Sequence, residues 1–423
     1  MAEYLKKATP LAPADEQAVR DTVTEILRRV REEGLEAVRD HSRRFDGWDP
    51  PSFKVDDAEI AAARDRLAPE VLESLEFAHA QVKHFAELQR ASMLEFEEET
   101  RPGVFLGQKH IPVGSVGAYV PSGKYPMLMS AQMSILTAKV AGVPRVVGCA
   151  PPFEGAGIYP EVLWSMHLAG ADEIWAVGGV QALAMLAYGV EGLEPVDLVA
   201  GPGNMYVAEA KRQLFGTVGI DLLAGPTEIL VIADETADPV VVAADLLGQA
   251  EHGPTSPAVL VSTSRPLADA VLAEVDRQLP LLASAEVIRT SWGQLGEVVL
   301  AADGEEAVRL ADRYAPEHLE VQTADPDWYG ERLRDYGTLC LGEEATIAFS
   351  DKAIGTNHTL PTAGAARYTG GLWVGKFLKT VTYQRCTRAG ALDIAPHAGL
   401  LSDAELMPGH AESAYLRVRK YGA

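Results

Sequence analysis

The sequence predicts an α/β fold, because short runs of apolar and β-branched residues alternate along the chain with longer runs of helical periodicity. The chain has 423 residues, of which 47% are hydrophobic and 23% are charged. This balance is typical of a folded globular protein with two or three domains. Repeated strand–helix units favour parallel sheets covered by helices.

Residues 14–46 and 57–98 open the chain with helical periodicity, and Val23, Ile26, Leu27 and Val30 share one face of the first run. Residues 380–423 are predicted to form a helical tail that ends in basic residues. Six strand–helix pairs are predicted between these regions. With the strand first, they are 116–120 with 130–141, 146–149 with 160–169, 173–177 with 181–188, 196–199 with 205–214, 229–232 with 239–250, and 259–262 with 266–279.

Charge and cysteine usage exclude several classes of function. The net charge of −23 argues against binding to nucleic acid or to an anionic membrane surface, since both require a basic face. Cys149, Cys340 and Cys386 lie far apart, which suits a reducing compartment and excludes a thiolate zinc cluster. We find neither a signal peptide nor an uncharged run long enough for a membrane span, so we expect a cytoplasmic protein.

Glycine-rich joints follow or precede several predicted strands. They are Gly178-Gly179, the segment 201–204 and the segment 225–227. None of them matches a dinucleotide or P-loop motif, and each alone is more often a tight turn. Two successive joints before helix starts make a bound nucleotide more plausible, because helix N-termini attract phosphate. Asn204 is placed either to cap its helix or to contact a ligand.

Gln249 and His252 lie three residues apart on one face of a predicted helix, where they form either half of a metal site or an ordinary polar face. Asp351 and His410 are candidates to complete such a site. Elsewhere, Glu317 and His318 are adjacent. Such a pair suits a reaction in which one group moves protons and the other activates water. The alternative is that Glu317 caps a helix and His318 is an ordinary surface histidine.

Six fragments occur in a fixed order along the chain. They read GPGN at 201–204, AGPTE at 224–228, QAEH at 249–252, PEHLE at 316–320, GTNHTLP at 355–361, and E…H at 405 and 410. Because it carries these fragments in this order, the sequence resembles the histidinol dehydrogenase family. The resemblance extends from about residue 20 to the C-terminus. The resemblance implies two Rossmann-like parallel-sheet domains, a helical N-terminal region and a C-terminal helical tail in an intertwined homodimer.

The resemblance also implies a role for individual residues. The implied ligands of one Zn²⁺ per subunit are Gln249, His252, Asp351 and His410, with His410 coming from the other subunit. The implied catalytic pair is Glu317 and His318, and the implied NAD contacts are Tyr119, Gln181 and Asn204. The implied substrate contacts are Thr227, His358 and Glu405.

The activity implied by the resemblance is the oxidation of a primary alcohol to a carboxylate in two steps, with two NAD molecules used in turn. His318 would take the hydroxyl proton, and Glu317 would activate water for the aldehyde step. The expected division of the chain is an N-terminal arm over 1–17, a discontinuous α/β domain over 18–118 and 229–379, an NAD-binding α/β domain over 119–228, and a dimerisation tail over 380–423.

Three segments depart from the histidinol pattern. The loop after Tyr119 is short and carries Lys124, and Thr227 replaces a usual serine. Residues 366–380 resemble the sulfopropanediol 3-dehydrogenase branch, which oxidises 2,3-dihydroxypropane-1-sulfonate to sulfolactate. A sulfonate is a fixed anion that favours basic partners, and we expect Arg367 to be one. The other basic residues available are Lys124, Lys376 and Lys379.

Other readings of the sequence remain open. Histidinol, or a further primary alcohol, is an alternative substrate for the same machinery. A metal-dependent hydrolase could use the same ligands with Glu317 as base. A further alternative is a binding protein without catalytic activity.

Overall fold

The structure, a computed structural model, describes residues 3–9, 16–122, 125–190 and 192–422. Its strands are β1 (Glu3–Lys6), β2 (Phe96–Arg101), β3 (Val104–Pro112), β4 (Ser115–Tyr119), β5 (Arg145–Cys149), β6 (Glu173–Trp175), β7 (Leu198–Ala200), β8 (Gly219–Ile220), β9 (Ile229–Ala233), β10 (Ala258–Ser262), β11 (Glu297–Leu300), β12 (His318–Gln322), β13 (Thr338–Leu341) and β14 (Leu378–Cys386).

The α-helices are α1 (Glu16–Glu33), α2 (Leu35–Asp46), α3 (Asp57–Arg64), α4 (Pro69–Ala91), α5 (Leu128–Ala131), α6 (Thr137–Val140), α7 (Pro160–Leu168), α8 (Gly179–Tyr188), α9 (Met205–Leu214), α10 (Pro239–Ala250), α11 (Arg265–Gln278), α12 (Ala285–Leu295), α13 (Gly304–Tyr314), α14 (Pro326–Gly330), α15 (Ile347–Lys352), α16 (Arg388–Ala404) and α17 (Pro408–Tyr421). A π-helical turn at Gln132–Leu136 joins α5 to α6, and short 3₁₀ turns occupy Leu279–Leu281, Ala365–Arg367 and Val374–Phe377.

Two sheets organise the chain and confirm the α/β prediction. The first has six strands in the order β1-β11-β10-β9-β12-β13 and is parallel except for β1, which pairs antiparallel with β11. The second has five parallel strands in the order β6-β5-β4-β7-β8. Chain order reverses between β9 and β12 in the first sheet and between β4 and β7 in the second. Such reversals open a crevice at the edge of a parallel sheet.

All six predicted strand–helix pairs are present in the structure. Helices α9 and α10 agree with the prediction at both ends. Local chemistry explains this precision: the Asn204 side chain caps α9 by accepting from the backbone of Tyr206 and Val207, and Asp238 caps α10 directly before Pro239.

Two helical predictions were wrong at their ends. We expected helix through residue 98 and from residue 380, but β2 and β14 occupy these positions. They flank β3 in a three-stranded antiparallel sheet, in which β14 pairs with β3 over its whole length. A strand of this kind is specified by a partner distant in sequence, which local periodicity does not report.

The N-terminal helices pack on the five-stranded sheet. Val23, Ile26 and Val30 of α1 are at most 5% exposed and share a core with Trp175 and Leu186. This confirms the predicted apolar face of α1. Because α1 also contacts α8 and α9, we propose to group residues 16–46 with the 119–228 unit, whereas the sequence had suggested grouping them with 229–379.

No helix among the described residues is long and apolar enough to cross a membrane. Cys149, Cys340 and Cys386 all carry free thiols.

Candidate active site

A cavity of about 540 Å³ lies between the two sheets. One wall is the segment 125–129 that follows β4, and the other is formed by the end of α10 and by α15. Helix α10 connects β9 to the parallel strand β10, so it ends at the amino edge of the six-stranded sheet. This geometry brings Gln249 and His252 to the same edge as the first residue of β12, which is His318.

Glu317 lies directly before β12 and is 5% exposed. Its carboxylate accepts a hydrogen bond from the Thr227 hydroxyl at 2.5 Å and another from the backbone N–H of Glu228 at 3.0 Å. Burial nevertheless raises the pKa of Glu317 well above its usual range, because the charged form loses its hydration. The carboxyl group is therefore buried, oriented and able to hold a proton.

His318 is 2% exposed, and its two ring nitrogens have different surroundings. Nδ1 lies 3.0 Å from the backbone carbonyl oxygen of Glu228, to which it donates its proton. Nε2 is buried with no hydrogen-bond partner among the described residues and lies 3.8 Å from Oδ1 of Asp351. Burial lowers the pKa of His318 to about 4, so the ring is neutral near pH 7 and presents a free lone pair on Nε2.

Three of the four predicted metal ligands meet in the cavity wall. Nε2 of His252 lies 3.8 Å from Oδ2 of Asp351, and Gln249 lines the same wall. The Gln249 amide donates to the Thr227 hydroxyl, which leaves its carbonyl oxygen as the group suited to a cation. One imidazole, one carboxylate and one carbonyl oxygen fit Zn²⁺, which accepts mixed nitrogen and oxygen ligands.

The fourth predicted ligand is not in this cavity wall. His410 is exposed on α17, and Glu405 is exposed just after α16. Helices α16 and α17 pack mainly on each other. Among the described residues of this one chain, no group of three or more His, Cys, Asp or Glu side chains is arranged to hold a metal ion.

His358, a predicted substrate contact, also lines the cavity. Its Nδ1 lies 3.0 Å from the backbone oxygen of Asp351, and its Nε2 lies 3.1 Å from the Ser130 hydroxyl. His358 therefore connects the loop after α15 to the start of the helix that contains the π-helical turn. Thr227, a second predicted substrate contact, is engaged with Glu317 and Gln249.

The predicted cofactor contacts lie at the carboxyl edge of the five-stranded sheet. Tyr119 ends β4, and its hydroxyl accepts from the backbone N–H of Gly179 at 3.3 Å. Asn204 follows β7 and is exposed. Gly201 has φ of +115°, and a Cβ atom there would lie 2.0 Å from the Tyr119 carbonyl oxygen. Only glycine therefore allows β4 and the β7 loop to approach this closely.

Gln181 is 2% exposed in the first turns of α8, and its amide donates to the Asp46 carboxylate at 3.2 Å. Burial raises the pKa of Asp46 to about 6. No sequence pattern marks Asp46, which ends α2 and reaches this edge through the packing of α2 on α8.

The basic residues that were predicted to be available to an anionic substrate lie in different parts of the structure. The Arg367 guanidinium donates to the backbone oxygens of Gly364 and Arg313, and Arg367 is not among the residues that line the cavity. Lys376 donates to the Thr369 hydroxyl at 3.4 Å, and Lys379 is exposed on β14. Lys124 lies outside the described residues.

Two further residues of the site were missed by the sequence. Glu228 supplies the carbonyl oxygen that orients His318, and its own carboxylate accepts from the backbone of Ala363 at 3.0 Å. Ser130 holds His358. Glu228 belongs to the fragment AGPTE at 224–228, but the role of its backbone oxygen could not be predicted from the identity of its side chain.

Comparison with known proteins identifies a family that the sequence of this chain matches. Residues 11–418 match the model of the histidinol dehydrogenase family. The chain is 52% identical to a histidinol dehydrogenase homolog of Shouchella clausii, over 100% of both chains. It is 45% identical to the sulfopropanediol 3-dehydrogenase of Ruegeria pomeroyi, over 99% of this chain and 97% of that protein.

A solved structure agrees with these sequence matches. The crystal structure of histidinol dehydrogenase from Elizabethkingia anophelis superposes with a TM-score of 0.93 at 31% identity, over 98% of this chain and 95% of that one.

Proposed function

Because the chain belongs to the histidinol dehydrogenase family, we propose that it oxidises 2,3-dihydroxypropane-1-sulfonate to sulfolactate with zinc and two molecules of NAD. The family activity is an NAD-dependent double oxidation of an alcohol, so the proposal concerns the substrate, the metal and the roles of individual residues. The observation that carries it is the buried His318, neutral and with a free Nε2, beside Glu317.

His318 is suited to act as the base in both oxidations. Nε2 takes the hydroxyl proton of the alcohol while the carbon loses hydride to the nicotinamide. The hydrogen bond from Nδ1 to Glu228 holds the ring in the tautomer that this step requires. After it releases that proton to solvent, the same nitrogen takes a proton from the hydrated aldehyde as the second hydride leaves.

Glu317 is suited to the intervening hydration. In its ionised form the carboxylate, oriented by Thr227 and the backbone of Glu228, is placed to accept a proton as water adds to the aldehyde carbon. That water supplies the second oxygen of the product carboxylate. Two hydrides leave with two NAD molecules, which balances the four-electron oxidation.

We propose that Gln249, His252 and Asp351 hold Zn²⁺ together with His410 of the partner subunit. When bound, the ion orients the substrate hydroxyl and stabilises negative charge on its oxygen without taking part in electron transfer. Tyr119, Gln181 and Asn204 are proposed to contact NAD at the crevice between β4 and β7. The assembly is proposed to be a cytoplasmic homodimer with shared sites.

The proposed substrate is supported by the similarity to the Ruegeria pomeroyi sulfopropanediol 3-dehydrogenase. The alternative is L-histidinol, which carries positive charge where the sulfonate carries negative charge. The Glu405 contact with substrate is proposed to come from the partner subunit, as for His410. For Arg367 we propose a role in fixing the 364–367 turn, because its guanidinium is occupied by backbone oxygens.

The test is NADH formation by the zinc-loaded enzyme with 2,3-dihydroxypropane-1-sulfonate and L-histidinol measured side by side. We expect two NADH per molecule of sulfonate consumed and a higher kcat/KM for the sulfonate. A His318→Asn variant serves as the control for background oxidation. Efficient turnover of histidinol with none of the sulfonate would contradict the proposed substrate while leaving the family unchanged.

A further inference from the structure

The cavity wall contains a lysine that the sequence did not single out. Lys352 follows Asp351 at the end of α15 and lines the cavity together with His252 and His358. Among the described residues that line this cavity, Lys352 is the only lysine or arginine. Lys352 is therefore the strong positive charge that the described part of this wall offers to a substrate.

The acidic side chains of the same wall already have partners. Asp245 accepts a hydrogen bond from the Thr346 hydroxyl at 2.9 Å, and Glu251 accepts one from the Ser284 hydroxyl at 2.9 Å. Asp351 belongs to the proposed metal site. These carboxylates are therefore less available to bind a cationic group of a substrate than their number suggests.

Lys352 differs from them in having its charged group free. Its side chain is exposed and forms no hydrogen bond or ion pair within the described part of the chain. Lys352 lines the same cavity as His358, the imidazole that was predicted to contact the substrate.

We propose that Lys352 determines substrate specificity by binding the anionic group of the substrate, a sulfonate or a group of equal charge. This inference rests on the proposed oxidation of an anionic alcohol at this site. The chain carries a net charge of −23, so its overall field repels an anion and a local positive group is needed. An ammonium with three donors forms charge-assisted hydrogen bonds to sulfonate oxygens.

The test compares Lys352→Met with Lys352→Arg on two substrates, 2,3-dihydroxypropane-1-sulfonate and the uncharged 1,2-propanediol. We expect Lys352→Met to lower kcat/KM for the sulfonate by about ten- to a hundredfold, mainly through KM. The same variant should change kcat/KM for propanediol by less than about threefold, and Lys352→Arg should retain most of the preference for the sulfonate. Lys83→Met, which removes an exposed lysine of α4, is the matched control.

Two results would overturn the role of Lys352 in different ways. If the wild type oxidises the sulfonate and Lys352→Met loses equally on both substrates, Lys352 has no part in recognition and the proposed function stands. If the wild type does not oxidise the sulfonate, the proposed substrate is wrong, and inhibition by propane-1-sulfonate then tests Lys352 alone. Weaker inhibition of Lys352→Met would still support an anion contact, whereas equal inhibition would reject it.

Discussion

At the residue scale, burial sets the protonation states of the two residues proposed for catalysis. It raises the pKa of Glu317 and lowers that of His318, so a carboxyl group that can hold a proton stands next to a neutral base. Their hydrogen bonds differ as well: Glu317 accepts from Thr227 and Glu228, while His318 donates to a backbone oxygen. Opposite shifts in neighbouring groups are the usual basis for dividing acid and base roles.

From this division we expect Glu317→Gln to oxidise the alcohol but to fail at the aldehyde step. The amide keeps the size of the side chain but cannot take a proton from water, so oxidation of added aldehyde should fall by roughly a hundredfold or more. Pre-steady-state NADH formation should approach one equivalent per active site in the variant, against two in the wild type.

Glu228→Gln is the matched control for this experiment. Its carboxyl group is half-buried, with a pKa raised by burial, but it accepts hydrogen bonds from backbone N–H groups, among them that of Ala363. Both half-reactions should survive in it. If Glu317→Gln slowed both half-reactions equally, the proposed division of roles between Glu317 and His318 would be wrong.

At the scale of elements, a buried polar cluster ties together the three elements that carry the site. Glu320 of β12 accepts from the backbone N–H of Ile347 in α15 at 2.9 Å. The Gln322 amide donates to Glu320 at 3.2 Å and to Asp245 of α10 at 2.9 Å. The cluster therefore fixes the relative positions of His318 on β12, the two proposed ligands near the end of α10, and Asp351 on α15.

The cluster predicts a pH dependence of stability. Burial, followed by the charge of Asp245, raises the pKa of Glu320 to about 8. The folded state therefore binds this proton more tightly than the unfolded chain does. The resulting stabilisation is complete below the unfolded pKa, about 4.5, and is lost as pH rises through about 8.

We expect the free energy of unfolding of the wild type to fall between pH 6 and pH 9 more steeply than that of Glu320→Gln, which has no proton to lose there. Urea denaturation at both pH values measures this difference. Glu305→Gln, at an exposed position in the first turn of α13, should retain the slope of the wild type. Identical slopes in the wild type and Glu320→Gln would show that the carboxyl group is not protonated in the folded state.

At the scale of the whole molecule, the C-terminal tail is distinctive because α16 and α17 pack mainly on each other. Leu400, Leu401 and Leu406 are 63%, 66% and 88% exposed on or next to α16, close in sequence to Glu405 and His410. Apolar side chains that are exposed together favour a partner surface. A tail that leaves its own chain and delivers His410 to another would account for both observations.

This arrangement predicts complementation between two inactive variants. His252→Ala and His410→Ala should each lack activity, and co-expression should restore it in heterodimers. One of the two mixed sites then combines an intact cavity with an intact tail. The measurement is NADH formation by heterodimers purified through two different affinity tags.

A pairing of His252→Ala with Asp351→Ala is the control for complementation. Both substitutions lie in the cavity wall, so every site in that heterodimer contains one defect, and no activity should return. Activity that fails to return in verified heterodimers of His252→Ala with His410→Ala would exclude a shared site.

The sequence by itself determined those features whose causes are local. The caps at Asn204 and Asp238 define the starts of α9 and α10, and the alternation of apolar runs predicted both parallel sheets. The order of six short fragments was enough to predict the family, since each fragment is contiguous in the chain.

Only the tertiary structure decided which groups face one another. β14 is a strand because β3 lies beside it, and Gln249 and His252 reach the edge where β12 begins at His318 because α10 ends there. Lys352 enters the cavity wall while Arg367 is held by backbone oxygens, although sequence favoured the second. Burial and pairing depend on residues distant along the chain, so neither periodicity nor composition contains them.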